Sequence, residues 1–226
     1  MKLRMMIALM IGILATFHVA TKAAVGDSAN TLSLRGAYEQ NKNSGGSYGE
    51  KPHFTLKYEH DQEDWRYWTG LGYGGTWDIF DKDVIDVELA LGKNFSNVNI
   101  GGGLFLLYVQ LNGNAIIDYF LVGPEVACRG DFPFGKSGFA ALVDVAIYPA
   151  LLYQRNDGQK GGTKLDSKSG YAYGFKAEAA IKKDFSQFVV TAGVRYQFIE
   201  GPSLKDDLTY EGDQFFGPFI EAGWKF

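Results

Sequence analysis

The sequence predicts an all-β protein: a transmembrane, antiparallel, up-and-down β-barrel of about ten strands, with counts of eight or twelve compatible with the same pattern. Three observations predict it. Apolar and polar residues alternate with period two along most of the chain, as strands with two unlike faces require. Aromatic residues make up 15% of the chain beside 29 glycines and only six prolines, a strand-and-turn composition rather than a helical one. After residue 23 no run of 18 apolar residues occurs, so no helix is apolar enough to cross a bilayer.

At the N-terminus, residues 1–23 read as a secretory signal peptide, leaving residues 24–226 as one barrel domain. Lys2 and Arg4 supply a basic start, Ile7 to Ala20 an apolar stretch, and Thr21-Lys22-Ala23 the small residues before a cleavage point. This segment carries Lys2, Arg4 and Lys22 and no acid, so its loss takes the formal net charge from −4 to −7. Such a balance argues against nucleic acid or anionic lipid as the main partner. The single cysteine, Cys128, allows no intramolecular disulfide in an exported chain.

The strands follow. Leu32, Leu34, Gly36 and Tyr38 oppose Ser33, Arg35, Ala37 and Glu39; Phe54, Leu56 and Tyr58 oppose Thr55, Lys57 and Glu59. Trp65, Tyr67, Thr69, Leu71 and Tyr73 oppose Arg66, Trp68, Gly70 and Gly72, and Ile85, Val87, Leu89 and Leu91 oppose Asp86 and Glu88. Val143, Val145 and Ile147 flank Asp144, and Tyr173, Phe175, Ala177, Ala179 and Ile181 alternate with Lys176, Glu178 and Lys182. The last two strands set Val190, Ala192, Val194 and Tyr196 against Arg195, then Ile220, Ala222, Trp224 and Phe226 against Glu221 and Lys225. The apolar columns hold no Asp, Glu, Lys or Arg. One charge on a lipid-facing strand position costs about 2–4 kcal/mol near the bilayer midplane, which accounts for the exclusion.

Two further segments, Val98–Leu111 and Ile116–Arg129, are apolar on both faces, and their register stays open; a bulge near Gly123-Pro124 is one cause. Residues 61–64, 94–97 and 183–187 read as short turns. Residues 41–52, 155–169 and 201–213 read as long polar loops, with Tyr48, Tyr153 and Tyr210 as candidate surface anchors. Residues 112–115 are shorter, and 130–138 longer, than strict alternation of turns and loops expects. Aromatics near strand ends (Tyr38, Trp65, Tyr67, Tyr73, Trp77, Tyr171, Tyr173, Phe198, Trp224) suit the girdles of a membrane barrel.

The closing run Ile220-Glu221-Ala222-Gly223-Trp224-Lys225-Phe226 resembles the C-terminal insertion signal of Gram-negative outer-membrane β-barrel proteins. There, a terminal aromatic follows alternating hydrophobics. The resemblance implies that Ile220, Ala222, Trp224 and Phe226 are read by the barrel-assembly machinery after escort by periplasmic chaperones. It further implies an outer-membrane location with both termini periplasmic, contact with membrane lipid and lipopolysaccharide, and a monomer.

The polar columns place Arg35, Lys57, Glu59, Arg66, Asp86, Glu88, Asp144, Lys176, Glu178, Lys182, Arg195, Glu221 and Lys225 in the lumen. With Glu39 they comprise seven acids and seven bases. No single-sign selectivity ring emerges. Buried charges must be paired, so the interior is either a salt-bridged plug or a narrow polar channel that glycines 70, 72, 74, 101, 102 and 103 make room for. Three function classes follow: a narrow passive, porin-like channel or structural surface protein; an adhesin-like recognition protein acting through its loops; and a rim-site enzyme. The enzyme class rests on His53 near Asp78, Asp81, Asp83, Asp206, Asp207 and Asp213. Outer-membrane proteases of the omptin family use rim Asp and His residues, but their motifs do not line up here; lipid-A-modifying enzymes are the other variant. His53 and His60, seven apart on one strand, lie on opposite faces roughly 23 Å apart at about 3.3 Å per residue, so they cannot share a metal. No catalytic residue, metal site or cofactor is assigned.

Overall fold

The computed structural model describes residues 28–43, 48–75, 81–112, 115–135, 138–159, 165–200 and 213–226. Ten strands run in chain order: β1 (Ser28–Asn43), β2 (Tyr48–Gln62), β3 (Trp65–Gly75), β4 (Asp81–Phe95), β5 (Val98–Asn112), β6 (Ala115–Phe134), β7 (Phe139–Gln159), β8 (Leu165–Phe185), β9 (Phe188–Glu200) and β10 (Asp213–Lys225). Each strand pairs antiparallel with its neighbours in sequence, and β1 pairs with β10 to close the barrel. Closure leaves no edge strand, so every wall strand has a pairing partner on both sides.

Three tight turns gather at one end, hereafter the turn end, with the start of β1 and the end of β10. Their first residues, Glu63 (φ 37), Ser96 (φ 57) and Ser186 (φ 69), adopt the left-handed backbone that two-residue hairpin turns demand. The opposite, loop end carries residues 44–47, 76–80, 113–114, 160–164 and 201–212, which lie outside the described residues.

Strand lengths depart from the sequence expectation. Much of the predicted loops 41–52 and 155–169 is strand, with pairing continuing through Lys42↔Tyr48 and Gly158↔Leu165. Backbone pairing, once in register, propagates through residues that lack an apolar face. Likewise 130–138 is mostly strand, ending in the pair Phe134↔Phe139, whose rings stack at 6.0 Å. The register of β6 against β7 shifts between Val122 and Val126, at the expected Gly123-Pro124. A second shift lies between Tyr148 and Leu151 on β7 against β8, around Pro149, which has no N–H to give the ladder.

The two faces have opposite character. Leu34, Phe54, Ile147, Tyr171, Ile181, Ile220, Trp224 and Phe226 point outward and are exposed, Ile220 at 65% and Tyr171 at 71%. A belt of large apolar side chains around the whole circumference is what lipid stabilises and water does not. Of the expected girdle, Tyr38, Trp65, Tyr73, Tyr171, Tyr173 and Trp224 are exposed on this face; Trp77 lies outside the described residues.

Candidate functional site

The inward face encloses three layers. At the turn end the lumen opens into a cavity of about 240 Å³, bordered by a rim recess of about 510 Å³. Its wall carries ion pairs, one between the neighbouring strands β2 and β3, Arg66 Nε to Asp61 Oδ1 at 2.5 Å, and two that each reach across one strand, Lys182 on β8 to Asp131 on β6 and Lys225 on β10 to Asp184 on β8.

Above the cavity a charge network spans the lumen, with a pocket of about 20 Å³ among its side chains. Arg35 on β1 reaches Glu178 on β8 at 2.7 Å and Glu221 on β10 at 2.8 Å, with its guanidinium 3.8 Å from the Phe219 ring centre. Lys57 lies 3.3 Å from Glu221, and Ser33 donates to the same carboxylate. Arg129 on β6 bonds Glu59 on β2 at 2.6 Å and Asp144 on β7 at 2.8 Å. Trp68, under the Arg129 guanidinium, donates its indole N–H to Glu88 at 2.7 Å; Lys176 on β8 meets Glu88 on β4 at the same distance. The β6–β2 and β8–β4 pairs join walls four strands apart in a ten-strand ring. These bonds tie opposite sides of the barrel together.

His53 belongs to this layer. It is buried between Glu39 (Nδ1 to Oε1, 3.1 Å) and Asp86 (Nε2 to Oδ2, 2.8 Å), and Arg195 stands 3.5 Å from Glu39. A rim site was expected; the histidine instead faces inward and takes its carboxylates from β1 and β4. Asp83 faces outward and accepts from Tyr73, while Asp78, Asp206 and Asp207 lie outside the described residues, as do the side chains of Asp81 and Asp213. His60 bonds Asn30 on the other face. Gly72 makes the His53 site possible: a Cβ there would stand 2.6 Å from His53 Nε2 and collide with the Asp86 carboxylate. At Gly101 a Cβ would sit 2.5 Å from the Leu91 carbonyl oxygen, so this glycine serves close strand approach rather than an open bore.

Toward the loop end, the β4–β9 side of the lumen is filled by apolar side chains: Phe105, Leu107, Val109, Tyr119, Leu121, Tyr148, Leu151, Tyr153 and Ile199. Phe105 stacks on Tyr148 at 4.2 Å. This layer explains why β5 and β6 read as apolar on both faces. It also corrects the role given to Tyr153, which is buried in the plug 6.2 Å from the Tyr119 ring rather than displayed on a loop. Tyr210 lies outside the described residues, as does the side chain of Tyr48.

All thirteen predicted lumen residues are brought to the interior of the described barrel or its turn-end cavity. Sequence reasoning left out Lys51, Asp61, Glu125, Arg129 and Asp131. Lys51, buried 4.5 Å from the Phe215 ring centre, and Asp61 continue the Lys57–Glu59 column at both ends. Arg129 and Glu125 share one parity but lie in the segment whose register the Gly123-Pro124 bulge obscured. Glu125 is buried with no hydrogen-bond partner on its carboxylate, as is the Tyr148 hydroxyl.

No protein family and no curated protein matches the sequence. Solved structures do. Neisserial surface protein A aligns with a TM-score of 0.52 at 11% identity, over 88% of this chain and 99% of its own. The outer-membrane protease OmpT of Escherichia coli gives 0.52 at 10%, over 89% and 97%. The translocator domain of the autotransporter NalP of Neisseria meningitidis gives 0.50 at 11%, over 97% and 96%. The fold is that of the outer-membrane β-barrels. The exposed apolar belt is the surface such a barrel turns to lipid. Since these structures differ in what their names describe, the fold carries no single activity with it.

Proposed function

We propose that this protein is a closed structural barrel of the outer membrane that holds its loop end at the cell surface, rather than an open pore. One observation carries the reading: the lumen is filled at two successive levels, by cross-barrel ion pairs and then by an apolar layer. Arg35, Lys57, Glu59, Asp86, Glu88, Asp144, Lys176, Glu178, Arg195 and Glu221 act as its seal, while Arg66, Lys182 and Lys225 line the turn-end entrance. The pocket left among these ion pairs, about 20 Å³, has room for about one water, which needs about 10–15 Å³ on that measure, and not for a continuous file.

With that reading go several others. Residues 1–23 are removed on export, the turn end faces the periplasm, and the loops meet lipopolysaccharide and the exterior. The barrel-assembly machinery reads Ile220, Ala222 and Trp224, on the outward face of β10, together with Phe226 just beyond it. The barrel works as a monomer, and surface recognition falls to the loops, where barrels differ and act.

The test is conductance of the refolded mature protein (residues 24–226) in a planar bilayer. The expected result is an inserted, silent barrel. Steady, discrete openings would replace the structural reading with a porin-like channel. The enzyme reading is separate: it requires that His53→Ala abolish a protease or lipid-A-modifying activity while the barrel stays heat-modifiable.

A further inference from the structure

Among the described side chains of the strands, the outward face carries only four charges: Asp83, Lys93, Lys183 and Glu200. They are sorted by height. Asp83 and Glu200 stand at the loop end, accepting hydrogen bonds from the outward Tyr73 and Tyr173. Lys93 and Lys183 stand at the turn end, on β4 and β8, well apart around the barrel.

The two lysines occupy one repeated device. Lys93-Asn94-Phe95-Ser96-Asn97-Val98 and Lys183-Asp184-Phe185-Ser186-Gln187-Phe188 match in the lysine, the phenylalanine two residues on, and the serine with positive φ that makes the turn. In each, an exposed aromatic also lies directly across the ladder: Trp65 opposite Lys93, Phe139 opposite Lys183. Lys183 Nζ is 4.4 Å from the Phe139 ring centre and 5.6 Å from that of Phe185; Lys93 Nζ is 5.9 Å from Phe95. The rings are half exposed, Phe95 at 53% and Phe185 at 55%. An aromatic girdle marks the headgroup level of a bilayer. A lysine mounted on it keeps its stem on apolar surface and its ammonium at that level. The ring faces hold the cation at that level.

We propose that these two hairpins are binding sites for anionic phospholipid, each ammonium taking the headgroup phosphate of a lipid such as phosphatidylglycerol in the leaflet at the turn end. The proposal rests on the membrane reading above. It is compatible with a net negative chain, because the turn-end acids sit off the girdle, Glu63 and Asp64 in the β2–β3 turn and Asp184 held by Lys225, while the two lysines are the charges mounted on the aromatic rings.

The test is native mass spectrometry of the barrel refolded into detergent and offered equal amounts of phosphatidylglycerol and phosphatidylcholine. Heat-modifiable migration on gels checks folding of every variant. Preferential retention of phosphatidylglycerol is expected, falling by about half with Lys93→Gln or Lys183→Gln, since each weakens one of two separate sites about five-fold, the loss one basic contact to an anionic lipid implies. It should vanish in the double variant, return with Lys→Arg at both positions, and persist in Asp83→Asn/Glu200→Gln. Equal retention of the two lipids by the wild type, or unchanged selectivity in the double lysine variant, overturns the proposal. A barrel that never becomes heat-modifiable or enters no vesicle instead counts against the membrane reading itself.

Discussion

Arg129 and Glu125 share one face of β6, yet removing them has opposite consequences. Arg129 holds Glu59 and Asp144 at once, so Arg129→Ala leaves two carboxylates inside without their cation. That kind of loss costs about 3–5 kcal/mol for a buried pair. Glu125 has no hydrogen-bond partner, and an unsatisfied buried polar group costs about 1–3 kcal/mol. Glu125→Met, of similar volume, is therefore expected to leave stability unchanged or to raise it. Urea unfolding in phospholipid vesicles, followed by tryptophan fluorescence, checks both. A destabilised Glu125→Met barrel would mean that the carboxylate has a partner in the folded state.

For the strands, the face decides the effect of a substitution. Leu34 and Arg35 are adjacent on β1, one lipid-facing and 58% exposed, the other in the network. Leu34→Lys sets a charge on the lipid face and should cost about 2–4 kcal/mol, less toward the interfaces. The same substitution measured in detergent should cost little, because micelles let the ammonium reach water. Equal losses in micelle and bilayer would show that Leu34 does not face lipid. The legibility of the elements follows the same division. Strands with one charged and one apolar column, β1–β4 and β8–β10, were readable in number and in facing. β5, β6 and the loop half of β7 were not, because their inner face joins the apolar plug and the period-two contrast disappears. The extra strand length in β1, β2, β7 and β8 was illegible for another reason. The backbone of any residue but proline can join the ladder, so Gly158 and Asn43 pair although neither offers an apolar face.

The whole barrel has two seals in series, and predictions about conduction belong at that scale. Arg129→Ala combined with Lys176→Ala breaks the cross-barrel bonds but leaves Phe105 stacked on Tyr148 above them. That variant is expected to stay silent in a planar bilayer. Adding Phe105→Ala and Tyr148→Ala removes the second layer as well, and ion passage should then appear. Conduction by the first variant would mean that the ion pairs alone close the lumen. Conduction by neither would assign the seal to the loops. The sorting of outward charge, lysines at one end and carboxylates at the other, is likewise a property of the assembled wall, since the four residues come from distant parts of the chain.

Alternation is a local property: each residue's side is set by its parity in the strand, so composition and period alone pointed to a barrel of about ten strands, its apolar columns and most of its inward charges, while eight or twelve strands stayed compatible with the same pattern. Partners were not local. Which acid meets Arg129 depends on closing β1 onto β10 and on the stagger of all ten strands, and those bring Glu59 to it across 70 positions of sequence. Whether the lumen is open was decided the same way, because the volume left inside a closed wall depends on side chains converging from every strand at once.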